Sequence, residues 1–265
     1  MNKFLFQTGV LMMTTMIFLS GCSSAINFTT DLTIGEGSGK GEVESHGIKS
    51  FEKGQFEKVD VQTDAMNIMI QQGSSNEATV ELLTDNTISS EITFDASIQG
   101  DVLQVTVNEK DVSMKNNSGE RKLIIMLPDE AQLDLNVVNA FGEIVIEEVA
   151  LGQAHLEQNA GNVHAKDVAG NLDILVNAGE INIERAHSEF AIGARVDAGN
   201  INIGYKEVPQ AAKFDLSSEV GSVKLALDQV EYDVNNKTTI KGNRGSDGPL
   251  VKAVTSVGTI NVGVK

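Results

Sequence analysis

The stretch LDILVNAGEINI, Leu172 to Ile183, decides the fold, because its apolar pattern about a central glycine recurs through the second half of the chain. Aligned on that glycine are AFGEIVI at 140–146, NAGNVHA at 159–165, NAGEINI at 177–183, DAGNINI at 197–203, EVGSVKL at 219–225 and SVGTINV at 256–262. The reference glycines are Gly142, Gly161, Gly179, Gly199, Gly221 and Gly258; the first five stand 18 to 22 residues apart, and the last gap, 37, is close to two such steps. Positions two and four after the glycine, and five and seven before it, are apolar in every unit. The chain as a whole is 41% hydrophobic, so composition does not produce this register.

Apolar residues at every second position place one side of a strand in a core and the other in solvent. Each unit therefore predicts a short strand on either side of a glycine corner. Neither strand can bury its apolar face alone, so successive units are expected to stack about 4.8 Å apart. That is an all-β fold, a single-stranded β-solenoid or β-helix. Glycine at the corner implies positive φ or a close backbone approach. Asn159, Asn177 and Asp197, two residues before their glycines, are suited to bonding turn backbone. The register lapses in KTTIKGNRGSDGP at 237–249, which predicts a degenerate coil or an insertion.

Working toward the N-terminus, residues 51–130 alternate apolar and polar in runs such as VDVQ at Val59, ATVELL at Ala78, VLQVTV at Val102 and KLIIML at Lys122. Breaks at Gly73, Gly100-Asp101 and NNSGE at Asn116 mark turns, so this section reads as a β-rich unit continuous with the repeats at 131–265. Residues 22–50 contain GEGSGKGE at 35–42 and few large apolar residues, the composition of a flexible tether. A phosphate-binding loop does not fit there: Ile34 stands where the first glycine belongs, and Gly41 follows Lys40 in place of Ser or Thr.

Residues 1–21 have one basic residue, Lys3, then the apolar run from Phe4 to Leu19, then Ser20-Gly21 before Cys22. This is the layout of a secretory signal peptide. Leu19-Ser20-Gly21-Cys22 resembles the lipobox of bacterial lipoproteins, which implies a diacylglyceryl group on Cys22, cleavage before it, and an extracytoplasmic, membrane-anchored address. Cys22 is the sole cysteine, so the chain can form no internal disulfide.

From Phe51 to Lys265 the chain resembles the bacterial putative-adhesin family of β-strand-repeat proteins, which includes the LiaG-like envelope proteins and is similar to the head-GIN-domain group. The likeness rests on FEKVDVQTDAMNIMIQQG around Phe56, on KLIIMLP at Lys122 and on the Gly-x-Ile-x-Ile units. It implies a β-solenoid at the cell surface and transfers no catalytic residue.

The formal net charge is -17, which argues against nucleic-acid and anionic-lipid partners, since both need clustered Lys and Arg. Residues one and three after each glycine should face outward in two polar columns, making Asn162, His164, Glu180, Asn182, Asn200, Asn202 and Asn261 a candidate face for envelope polysaccharide or a protein partner. Solubility alone also requires polar residues there. The histidines at 46, 155, 164 and 187 lack HExxH spacing, the GGxGxD calcium repeat is absent, and no GxSxG elbow occurs, so no metal, cofactor or nucleophile is expected. The sequence thus predicts a non-enzymatic, adhesin-like envelope binding module. Two other readings stand beside it, a solenoid carbohydrate-active enzyme and a structural envelope-stress spacer.

Overall fold

The computed structural model describes residues 41–110 and 119–265, in which every regular element longer than one turn is a β-strand. The signal peptide, Cys22 and the tether up to residue 40 lie outside the described residues. The strands are β1 (Val43–Glu52), β2 (Lys58–Gln72), β3 (Glu77–Asp85), β4 (Ile92–Gln99), β5 (Val102–Glu109), β6 (Arg121–Leu127), β7 (Leu133–Glu147) and β8 (Ala150–Lys166). They continue as β9 (Ala169–Ala178), β10 (Ile181–Ala186), β11 (Ile192–Ala198), β12 (Ile201–Tyr205), β13 (Ala212–Ala226), β14 (Glu231–Asn235), β15 (Thr239–Arg244) and β16 (Leu250–Val264). Since Val43–Glu52 pairs antiparallel with β3, residues 43–50 are strand and not part of the tether that composition suggested over 22–50. The sparse apolar content that suggested a tether reflects an edge strand whose residues are mostly exposed.

Parallel ladders carry the repeat. β7 and β8 pair with Gly142 opposite Gly161 and the apolar columns in register, Leu135 on Ala154, Val137 on Leu156, Ile144 on Val163 and Ile146 on Ala165. β8 and β16 run unbroken through the glycine corner, whereas the levels between them divide there into β9 and β10, and into β11 and β12. The pairings therefore trace a closed circuit of six parallel strands, β8-β10-β12-β16-β11-β9, whose two arms are the ladders before and after the glycine. All the apolar repeat positions are buried except Leu225, which packs partly exposed against the core.

The order of levels departs from the order in the chain at both ends. The Gly221 unit does not follow Gly199; β16, carrying Gly258, lies between β12 and β13. The interval at 237–249 belongs to an insertion, the antiparallel pair β14 and β15, which covers the outer edge of β13. With that edge taken, the last strand can pair with β13 only from the inside. At the other end β2 lies between β7 and the split level formed by β5 and β6. Antiparallel β4, and β3 with β1, close that end. The outermost strands β1 and β14 each carry a register shift, between Ser45 and Ile48 and between Tyr232 and Val234, a device that discourages edge-to-edge pairing.

The corner explains the glycines. Gly161 has φ +132, and a Cβ on it would lie 1.7 Å from the Gly142 carbonyl oxygen of the level below. β2 carries the same register with Met66 opposite Gly142 and Val59, Val61, Ile68 and Ile70 on the core columns. It is a repeat unit without the glycine. Inside the corner, three residues before the reference position, runs a buried polar column. Asn139 Nδ2 donates to the Met66 carbonyl at 2.9 Å, Thr255 Oγ1 to that of Gly199 at 3.1 Å and Ser218 Oγ to that of Gly258 at 2.9 Å. Asn139 also donates to Gln158 Oε1 at 2.9 Å and accepts from Thr63 Oγ1 at 2.7 Å. These bonds satisfy polar atoms that burial would otherwise leave costly.

Candidate functional site

The strands after the glycine bring the seven sequence-selected residues onto one face. His164 stands opposite Asn182, Asn182 opposite Asn202, and Asn202 opposite Asn261. Asn261 Nδ2 donates to Asn202 Oδ1 at 3.0 Å, and Asn202 Nδ2 to Asn182 Oδ1 at 2.8 Å, so three levels are joined by an amide ladder. Beside it, Glu180 N donates to Asn162 Oδ1 at 3.1 Å, Asn200 Nδ2 to Glu180 Oε1 at 2.9 Å, and Thr259 N to Asn200 Oδ1 at 3.0 Å. An amide has two N–H donors, so each donating rung keeps one for a partner or for water. At the end of the ladder His164 Nε2 lies 3.0 Å from Glu143 Oε1, and this hydrogen bond outweighs burial and raises the imidazole's pKa.

The face before the glycine carries charge pairs that sequence reading did not single out. His155 sits with Nδ1 3.0 Å from Asp173 and Nε2 2.9 Å from Glu157; burial opposes its charge, but the two carboxylates prevail and its pKa is raised. At the opposite corner, Glu130, Glu148, Asp167 and Arg185 all adopt φ between 51° and 54°, a left-handed turn built without glycine. Asp167 accepts from Arg185 Nε at 2.9 Å and from Lys206 Nζ at 3.3 Å, and lies 2.8 Å from His187 Nε2. Arg185 first, then His187 and Lys206 against the cost of burial, hold its carboxyl down to about 2. Where β5 and β6 divide, Arg121 grips Glu109 with two hydrogen bonds of 2.8 and 2.7 Å, and both side chains are largely buried.

Among the described residues, concavities of about 480 Å³ open at two places considered in turn. One lies at the left-handed corner and includes Gln72, Glu130, Glu148, Asp167 and His187. The other is a trough on the pre-glycine face across β5, β2, β7 and β8. Along the glycine corner runs a row of apolar residues, Ala65, Phe141, Ala160, Ala178, Ala198, Val257 and Val220, one per level. Phe141, Val257 and Val220 are more than half exposed. The repeat alignment contains this row, immediately before each glycine, but alternation does not assign a corner residue to either face. Of the two tyrosines, Tyr205 is buried, which pushes its phenol well above the usual range, and Tyr232 is exposed. Among the described residues no group of three or more His, Cys, Asp or Glu side chains is arranged to hold a metal ion. Nor is any helix there long and apolar enough to cross a membrane.

The model of the family described as Toastrack DUF4097 matches the chain twice, over residues 56–191 and 142–263. Among solved structures, a putative cell adhesion protein from Clostridium sporogenes is similar over 84% of this chain and 100% of that one, at 12% identity and a TM-score of 0.50. A putative adhesin from Bacteroides fragilis aligns over 84% of this chain and 97% of its own, at 14% identity and a TM-score of 0.32. A putative lipid binding protein from Parabacteroides distasonis aligns over 86% and 98%, also at 14% and 0.32. No curated protein matches the chain. The Clostridium likeness, at this identity, speaks to fold.

Proposed function

This chain belongs to the Toastrack DUF4097 family of putative adhesins, and from that premise we propose that it is a non-enzymatic, adhesin-like binding module displayed on the bacterial envelope. We read its parallel in-register ladders as a single-stranded β-solenoid, and its leader as a lipoprotein signal that places diacylglyceryl-Cys22 in an extracytoplasmic membrane face. The observation that carries the binding function is the amide ladder Asn182–Asn202–Asn261, an outward row of identical groups on a rigid, repeated backbone. Such a row matches a ligand that is itself periodic, an envelope polysaccharide or an extended protein segment. The Clostridium structure carries the name putative cell adhesion protein, which agrees with this reading.

The test is sedimentation of residues 41–265, which leave out the leader and Cys22 so that no acyl chain carries them into a membrane, with isolated bacterial envelopes. Wild type should co-sediment, and replacing Asn182, Asn202 and Asn261 together by Asp should weaken it at least several-fold without loss of fold. Absence of co-sedimentation in wild type would sink the binding module. One observation favours a spacer instead: the same amides bond to one another and so serve the stack itself. A triple variant that binds envelopes normally but melts earlier would support that reading.

A further inference from the structure

We propose that the trough on the pre-glycine face is a subsite for an amino sugar that carries a free ammonium group. This rests on the binding-module reading and gives it a second place on the molecule. The cavity, about 480 Å³, falls within the range of small-ligand pockets, about 300–1,000 Å³. Its floor is Val138 and Ala140 of β7, and its walls are Gln62 and Asp64 of β2 and Glu157 and Asn159 of β8. Register makes the trough: Gln62 pairs with Val138, and Val138 with Glu157, so a level with short apolar side chains lies between two with longer polar ones. The walls stand two rungs apart, roughly 10 Å.

A pyranose ring presents apolar C–H faces and a rim of polar groups. Val138 and Ala140 offer the floor for a ring face, and the flanking amides and carboxylates accept from the rim. The acceptors are held in advance, Asp64 by the Glu109 N–H at 3.1 Å and Glu157 by His155 Nε2 at 2.9 Å. Carboxylates on opposite walls, with no Lys or Arg in the lining, select an ammonium over a carboxylate or sulfate. Phe141 follows Ala140 at the corner and is 54% exposed, an apolar face on which a neighbouring ring can rest.

The experiment titrates the full chain with the fully deacetylated glucosamine trimer and with its N-acetylated counterpart, followed by calorimetry. The deacetylated trimer should bind at least fivefold tighter. Ala140→Trp, which fills the floor, should weaken it at least tenfold, and Glu157→Gln should narrow the preference while leaving the acetylated trimer within about twofold. Equal affinity for the two trimers, indifference to Ala140→Trp, or a trilysine peptide binding as tightly as the sugar would each overturn the subsite. If Ala140→Trp still co-sediments with envelopes like wild type while its trimer affinity is also unchanged, the trough fails and the binding module stands. Wild type that binds the trimer but not envelopes supports the trough and removes the module.

Discussion

At Gly179 the backbone has φ +146, and a Cβ would lie 1.8 Å from the Gly161 carbonyl oxygen, so any side chain must either push two levels apart or twist the corner. Gly179→Val should therefore cost about 3 kcal/mol or more, the range of strained backbone added to overpacking. Asn182→Ala, which removes one acceptor from a half-exposed ladder, should cost about 1 kcal/mol or less. Equal shifts in thermal midpoint by far-ultraviolet circular dichroism would undercut the corner geometry. The titrating pairs act in opposite pH windows. His164 has its pKa raised by Glu143, so its contribution is complete below about 6.5, the unfolded value, and fades as pH rises through the higher folded pKa. Asp167 is lowered to about 2, so its contribution is complete above 3.8 and is lost as pH falls toward 2. Midpoints measured across pH should show the alkaline decline flattened in His164→Gln and the acid decline flattened in Asp167→Asn, each alone. Period two puts the position three before the glycine on the inward side with those five and seven before it; Val176 and Val196 continue the apolar column there, whereas Asn139, Gln158, Thr255 and Ser218 interrupt it, so an apolar pattern alone stops short of the corner's buried polar column.

At the scale of the strand, the core columns were fully legible and the order of strands was not. Units that share one register can stack in any sequence, because each presents the same apolar columns and the same corner to either neighbour. What chooses among orders is the edge that each insertion covers, and a polar hairpin such as β14–β15 leaves only a lapse in the pattern. β2 stayed hidden for a different reason: Met66 occupies the glycine position, although Val59, Val61, Ile68 and Ile70 keep the register. The swapped order has a measurable consequence. In a stack built in chain order the last strand is a terminus that frays, whereas here Leu250–Val264 pairs on both sides, with β11 and β12 on one and β13 on the other. Native-state hydrogen exchange should find amides 251–262 among the slowest in the protein, and those of Glu231–Asn235, an edge strand exposed at every residue, among the fastest. Fast exchange throughout the C-terminal strand would contradict the crossover.

Across the whole molecule acidic side chains outnumber basic ones, 37 to 20. The formal charge of -17 gives the folded part no attraction for an anionic leaflet, so the proposed residence at a membrane rests on the acyl chains expected at Cys22 and not on charge. Two chains, at about 0.8 kcal/mol per buried methylene, hold a protein stably where one does not. Growth with a palmitate analogue should label wild type and leave Cys22→Ala unlabelled, and residues 41–265 alone should not sediment with anionic vesicles at low as well as high ionic strength, because no charge attraction remains once leader and lipid are gone. Label retained in Cys22→Ala would remove the anchor; residues 41–265 that bind anionic vesicles at low salt would mean that a basic surface holds the protein, contrary to its composition.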